Sequence, residues 1–252
     1  MGLAPEPARI VLLGASNVRR SLPAIVRLAR GEFGSGLEIL GAFGHGRSYG
    51  KRSCIPFRCL PGILECGLWK ALERDLRQEC RALITDVGND LLYGEDAGTI
   101  LEWIAECVER LAGARITITG LPLARIEALG RGQYLLFRSL FFPFSRQPRG
   151  RVISAAREVD AGLRALARAA GVRFVELDPA WYGADPVHIR RAVFATAWGR
   201  ILGTKEAPAP MARRESIRLR LAPPERRWVW GIERRHPQPV FAGRDGTRIS
   251  LY

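Results

Sequence analysis

The sequence predicts an α/β protein built on a central parallel sheet of about five strands, with helices on both faces. Three observations carry that expectation. Short, almost wholly apolar runs recur and end in turn-forming residues, as strands buried on both faces do. Stretches with apolar residues at helical spacing separate them. The alternation of the two is that of βαβ units, whose functional loops gather beyond the carboxyl ends of the strands.

Arg9 to Leu13 (RIVLL) reads as the first strand and delivers a loop at Gly14; a helix follows from about Leu22 to Arg30. Leu37 to Ala42 (LEILGA) is the second strand, opening into Gly44-His45-Gly46-Arg47. Leu60 to Leu76 reads as a helix with Pro61 near its start. Ala82 to Asp86 (ALITD) is the third strand, ending in Val87-Gly88-Asn89-Asp90, and Ala97 to Leu111 is helical. Arg115 to Gly120 (RITITG) is the fourth strand, Arg151 to Ala170 a strongly periodic helix, Val172 to Leu177 (VRFVEL) the fifth strand, and His188 to Leu202 a closing helix. The stretch between Gly120 and Arg151 carries no clear period.

Residues 1–204 thus form the expected main domain. From Lys205 the composition changes, with Pro208, Pro210, Pro223, Pro224, Pro237 and Pro239 and 11 basic against 5 acidic residues. Ser216 to Ala222 (SIRLRLA), Arg227 to Glu233 (RWVWGIE) and Pro239 to Tyr252 each read as strand-like, with Asp245-Gly246 as a hairpin signal. Residues 205–252 are therefore expected as a basic, β-rich extension packed on the main domain.

A chain of 252 residues, 47% of them hydrophobic, is not disordered, collagenous or disulfide-built. No apolar run approaches the ~20 residues of a membrane-spanning helix, and no signal-peptide pattern opens the sequence. The cysteines, Cys54, Cys59, Cys66, Cys80 and Cys107, are odd in number and show neither a CxxC pair nor zinc-ligand spacing. Reduced thiols, a cytoplasmic location and no metal are the expectation. The net charge of +14 is nearly all arginine, since Lys51, Lys70 and Lys205 are the only lysines. Coding bias in a GC-rich genome produces that picture, so no specific nucleic-acid partner is expected.

Four short segments could face one crevice. Ser16, after the turn Gly14-Ala15, would present a hydroxyl and its own N–H; alone, such a serine is usually a helix cap. In Asp185-Pro186-Val187-His188 the carboxylate can orient the imidazole and stabilise its protonated form, although aspartate followed by proline is also how an ordinary helix begins. Asn89 offers a side-chain amide after the third strand, and Gly44 or Gly46 a close-approaching backbone N–H after the second.

In this order on a parallel sheet, these blocks resemble the SGNH (GDSL-type) hydrolase family from about Arg9 to Leu202. The resemblance implies a three-layer α/β/α, flavodoxin-like fold and ester hydrolysis through an acyl-enzyme, with no metal or organic cofactor. It assigns Ser16, His188 and Asp185 as catalytic residues, and the Ser16 and Gly46 N–H groups and the Asn89 amide as the oxyanion hole. One departure stands out: Gly14-Ala15-Ser16-Asn17 replaces Gly-Asp-Ser-Leu, so the acidic residue before the nucleophile is missing.

Gln133 to Phe144 is unusually aromatic: it reads as an ordinary core helix, as a wall that takes an acyl chain, with Phe141 and Phe142 as the candidates, or as a membrane-contacting patch. His45 and Arg47, beside the oxyanion glycine, are candidates for substrate contact, in a loop that also carries Lys51 and Arg52. Trp69, Trp103 and Trp198 read as core. The expected substrate is a small-molecule, carbohydrate or lipid ester, with acetyl and short-acyl esters of a sugar or lipid as candidates. An acyltransferase using the same acyl-enzyme, and a non-catalytic protein with a polyanion-binding basic tail, are the alternatives.

Overall fold

The computed structural model describes residues 8–55, 57–73, 80–143, 145–204 and 211–252. Leu76, Phe144, Lys205, Pro208 and Pro210, named above, lie outside the described residues.

In chain order the strands are β1 (Arg9–Leu13), β2 (Glu38–Ala42), β3 (Ser53–Ile55), β4 (Arg58–Leu60), β5 (Cys80–Ile84), β6 (Arg115–Thr119), β7 (Arg173–Val175), β8 (Arg226–Val229), β9 (Ile232–Arg235), β10 (Phe241–Ala242) and β11 (Arg248–Leu251). The helices are α1 (Ser16–Phe33), α2 (Leu68–Glu73), α3 (Asn89–Leu92), α4 (Ala97–Arg110), α5 (Leu123–Glu127), α6 (Arg131–Phe141), α7 (Arg149–Ala169), α8 (Phe194–Leu202) and α9 (Arg213–Leu221).

A seven-stranded sheet runs β10-β11-β2-β1-β5-β6-β7, parallel except for β10. The strand count exceeds the expected five because β10 and β11 extend the sheet beyond β2. Alternation along β1 explains the layers. Ile10 and Leu12 pack with α1, α8 and α9 residues such as Leu22, Trp198 and Leu219, while Val11 and Leu13 pack with α4 and α7 residues such as Ile104 and Leu163. Trp69 is buried and Trp103 packs against the second of these clusters.

A second, antiparallel sheet, β3-β4-β8-β9, stands beside this core. Cys54 and Cys59 face each other across β3 and β4 and form a disulfide; Cys66, Cys80 and Cys107 are free. This corrects the expectation of reduced thiols for Cys54 and Cys59. A search for CxxC spacing misses a pair that a hairpin aligns.

Other elements differ from expectation. Residues 216–221 are helical: the alternation of Ile217, Leu219 and Leu221 mimics a strand, but of the three only Leu219 is buried, and it packs in the cluster that holds α1. The predicted helix over 60–76 begins only at Leu68, because Leu60 ends β4. The closing helix starts at Phe194, not at His188. α1 starts six residues before Leu22, on Ser16 itself. No helix among the described residues is long and apolar enough to cross a membrane.

Candidate active site

The loops after β1, β2, β5 and β6, with the segment around Asp185, line a cavity of about 710 Å³. Gly14 makes the first loop possible: a Cβ there would lie 2.8 Å from Val18 Cγ2 and 2.9 Å from Thr85 Cγ2. The chain then turns directly into α1, whose first residue is Ser16.

Ser16 Oγ lies 3.0 Å from His188 Nε2, and His188 Nδ1 lies 2.6 Å from Asp185 Oδ2. The other Asp185 oxygen accepts the main-chain N–H groups of Val187 and His188, both at 3.1 Å. Asp185 thus caps a tight turn, as a helix start would, but the turn does not continue and the imidazole faces the cavity. Burial alone would raise the Asp185 carboxyl; the hydrogen bond and charge of His188 and the two N–H groups outweigh it and hold the carboxyl below its usual range. Phe141 sets its ring edge-on to His188, with centroids 5.2 Å apart.

A carboxylate reaches the Gly14-Ala15-Ser16-Asn17 turn from elsewhere in the chain. Asp86, which follows β5 in a left-handed conformation (φ 59°), accepts the N–H groups of Ala15 at 3.0 Å and Asn17 at 2.9 Å, and the Asn17 side-chain amide at 2.8 Å. Asn17 also donates to the Val187 carbonyl and accepts from the Ile189 N–H, both at 2.9 Å. The Asp86 carboxylate therefore takes a first-turn N–H of α1, and the Asn17 amide ties the serine turn to the histidine loop. Local sequence gives no sign of either role, because the partners lie about 70 and 170 residues away.

Gly46 lines the cavity at φ 63°, whereas Gly44 turns toward Leu60. The N–H groups of Ser16 and Gly46 have no hydrogen-bond partner among the described residues. The Asn89 amide has one long contact, 3.5 Å to the Arg47 carbonyl. Three donors therefore remain available around the serine.

Beneath the second loop, Tyr49 donates through its hydroxyl to the Thr85 carbonyl at 2.7 Å, and its N–H reaches Asp90 Oδ2 at 3.1 Å. Asp90 Oδ1 is buried without a partner, and burial pushes this carboxyl up to about 6. Arg47 corrects an expectation: it is fully buried and does not line the cavity. Its guanidinium instead donates to the Pro61 carbonyl at 3.1 Å and to the main-chain oxygen of Tyr252. Lys51 pairs with Glu95, and Arg52 lies over Trp228, 3.9 Å from the ring centroid.

The cavity has two unlike sides. Leu121, Ile126, Leu129, Phe137, Phe141 and Phe142 make an apolar wall, mostly from the stretch that had no assignment. Arg19, Arg20, His45, Arg191 and Arg220 line it elsewhere. Loss of solvation first, then the charges of Arg58, Arg19, His188 and Arg20, push His45 down to about 4, so it is neutral at pH 7. Among the described residues, no group of three His, Cys, Asp or Glu side chains is placed to hold a metal.

No family model and no curated protein matches the sequence. Solved structures do match. An aryl esterase of M. smegmatis aligns with a TM-score of 0.52 at 15% identity over 77% of this chain and 96% of its own. A carbohydrate acetylesterase family member from Sinorhizobium meliloti aligns at 0.50 and 15% over 85% and 99%. A lipolytic protein of the G-D-S-L family from Veillonella parvula aligns at 0.51 and 12% over 78% and 97%. The fold of this chain is that of the SGNH hydrolases.

Proposed function

We propose that this chain, with its SGNH hydrolase fold, is a serine esterase working through an acyl-enzyme. The observation that carries the reading is the unbroken hydrogen-bonded line from Ser16 through His188 to Asp185, beside unpartnered N–H groups in one cavity. Ser16 Oγ attacks the ester carbonyl while His188 Nε2 takes its proton. The carbonyl oxygen gains the displaced electron pair and is met by the Ser16 and Gly46 N–H groups and the Asn89 amide. Collapse breaks the ester C–O bond, and the alcohol leaves with the proton from His188. Water, deprotonated by the same imidazole, then attacks the acyl-serine and releases the acid. Asp185, held ionised, keeps Nδ1 protonated and stabilises the imidazolium.

The apolar wall supports an ester with a short acyl chain, and the fold is shared with an aryl esterase and a carbohydrate acetylesterase family member. The test is labelling by a fluorophosphonate probe together with hydrolysis of 4-nitrophenyl acetate and longer esters. Wild type should label and turn over, and Ser16→Ala and His188→Ala should be silent. A folded wild type that neither labels nor hydrolyses any ester overturns the reading.

A further inference from the structure

The small sheet carries a face crowded with positive charge that adjoins the cavity through Ile55, with Arg58 and Arg227 standing just behind the lining residues. Arg58 lies directly opposite Ile55 in the β3–β4 pair, and Ile55 lines the cavity, so both side chains share the cavity-side face. Arg58 pairs with Val229 across β4 and β8, which puts Arg227 diagonally next to it on that face. Arg227 in turn pairs directly with Arg234 across β8 and β9. Three arginines therefore cross three strands in one stripe, an arrangement that costs stability because like charges oppose each other.

No described carboxylate relieves it. Arg58 Nε and Nη2 and Arg227 Nε are buried without hydrogen-bond partners. Neither Arg58 nor Arg227 forms an ion pair among the described residues, whereas their neighbour Arg226 is paired with Glu233 at 3.1 Å. Arg19, on the cavity lining, is close enough for both to depress its ionisation, after the larger effect of its own burial. Buried guanidinium donors without an acceptor are costly, and a guanidinium fork matches the geometry of phosphate, sulfate and carboxylate oxygens.

We propose that Arg58 and Arg227, with Arg19 at the rim, form a subsite for an anionic oxygen group carried by the ester that Ser16 attacks. The substrate class is an ester with an apolar part against the aromatic wall and a phosphate, sulfate or carboxylate away from it. This rests on the esterase reading. Arg47, the sequence's candidate for substrate contact in the neighbouring loop, is occupied with the protein's own carbonyls.

The experiment compares kcat/KM for neutral 4-nitrophenyl butyrate with that for two charged esters, 4-nitrophenyl hemiglutarate and 4-acetoxybenzenesulfonate, which carry the charge on the acyl and on the alcohol half. The double variant Arg58→Gln, Arg227→Gln should lower the charged-to-neutral ratio about tenfold or more for at least one of them, and Arg58→Lys should lower it less. Arginines with only a structural role would lower the thermal midpoint when replaced; anion-binding ones should leave it unchanged or raise it at low salt, as repulsion is removed. A ratio unmoved for both charged esters overturns the proposal. Saturable binding of inorganic sulfate at fixed ionic strength, with no preference for charged esters, also overturns it and assigns the site to a free anion. If wild type hydrolyses no ester, the esterase reading has failed, and calorimetric titration with 4-acetoxybenzenesulfonate decides the subsite. Binding that the double variant loses supports it; equal binding, or none to wild type, refutes it.

Discussion

The two loops that meet at the serine are held in opposite ways. The loop after β1 is capped by Asp86, whose two oxygens take three donors, and by Asn17, which uses both ends of its amide. The loop after β2 rests on Asp90 and Arg47, each fully buried and each with a polar atom unmatched. A satisfied network rigidifies at little cost, whereas a partly satisfied one carries a desolvation penalty that pH or mutation can expose. The first loop holds Ser16 and the second Gly46, so loss of each should have its own signature.

The largest effect is expected at Asn89, which follows β5 and whose amide contacts the Arg47 carbonyl of the loop after β2. Asn89→Ala should lower kcat by about 10²–10³, with little change in fluorophosphonate-labelled protein at saturation. Labelling as fast as wild type would show that the amide is not an oxyanion donor. Next, Asp86→Ala frees three donors around Ser16 and should cost about 2–4 kcal/mol in denaturant unfolding. It should also lower kcat by about 10–100-fold with KM held within about threefold, the mark of a displaced nucleophile. A change in KM alone would break the contrast between the loops.

Asp90→Asn probes the penalty in the second loop. The Asp90 carboxyl is raised from 3.8 to about 6 on folding, so the folded state binds its proton more tightly. Its contribution is favourable below the unfolded value and is lost as pH rises through about 6. The variant should therefore gain on wild type by up to about 2–3 kcal/mol at pH 8 and gain nothing at pH 3.5. A difference independent of pH would refute the assignment. The smallest effect is expected from reducing the Cys54–Cys59 bridge, which closes a short loop: at most about 2 kcal/mol, with fluorophosphonate labelling retained.

How much of this the sequence reveals follows from where the information lies. Strands buried on both faces betray themselves as apolar runs, so β1, β2, β5, β6 and β7 and the loops they deliver are legible, as is the spacing of Asp185 and His188. What escapes is everything fixed by distant partners. The start of α1 depends on a carboxylate about 70 residues away, and Arg47 looks like a loop cation until its acceptors come from Pro61 and Tyr252. The stripe of Arg58, Arg227 and Arg234 exists only once β4, β8 and β9 pair. Composition alone marks the aromatic part of the wall, residues 133–144, whereas Leu121, Ile126 and Leu129 come from a stretch without a clear period.

The contact between Arg47 and Tyr252 joins positions 205 residues apart, and β11 lies against β2 in the same sheet. During synthesis the loops that carry Ser16 and Gly46 emerge long before the segment that anchors Arg47. Until β11 joins it, β2 is an edge of the sheet and Arg47 lacks its Tyr252 acceptor, so the Gly46 loop gains this support only once β11 is in place.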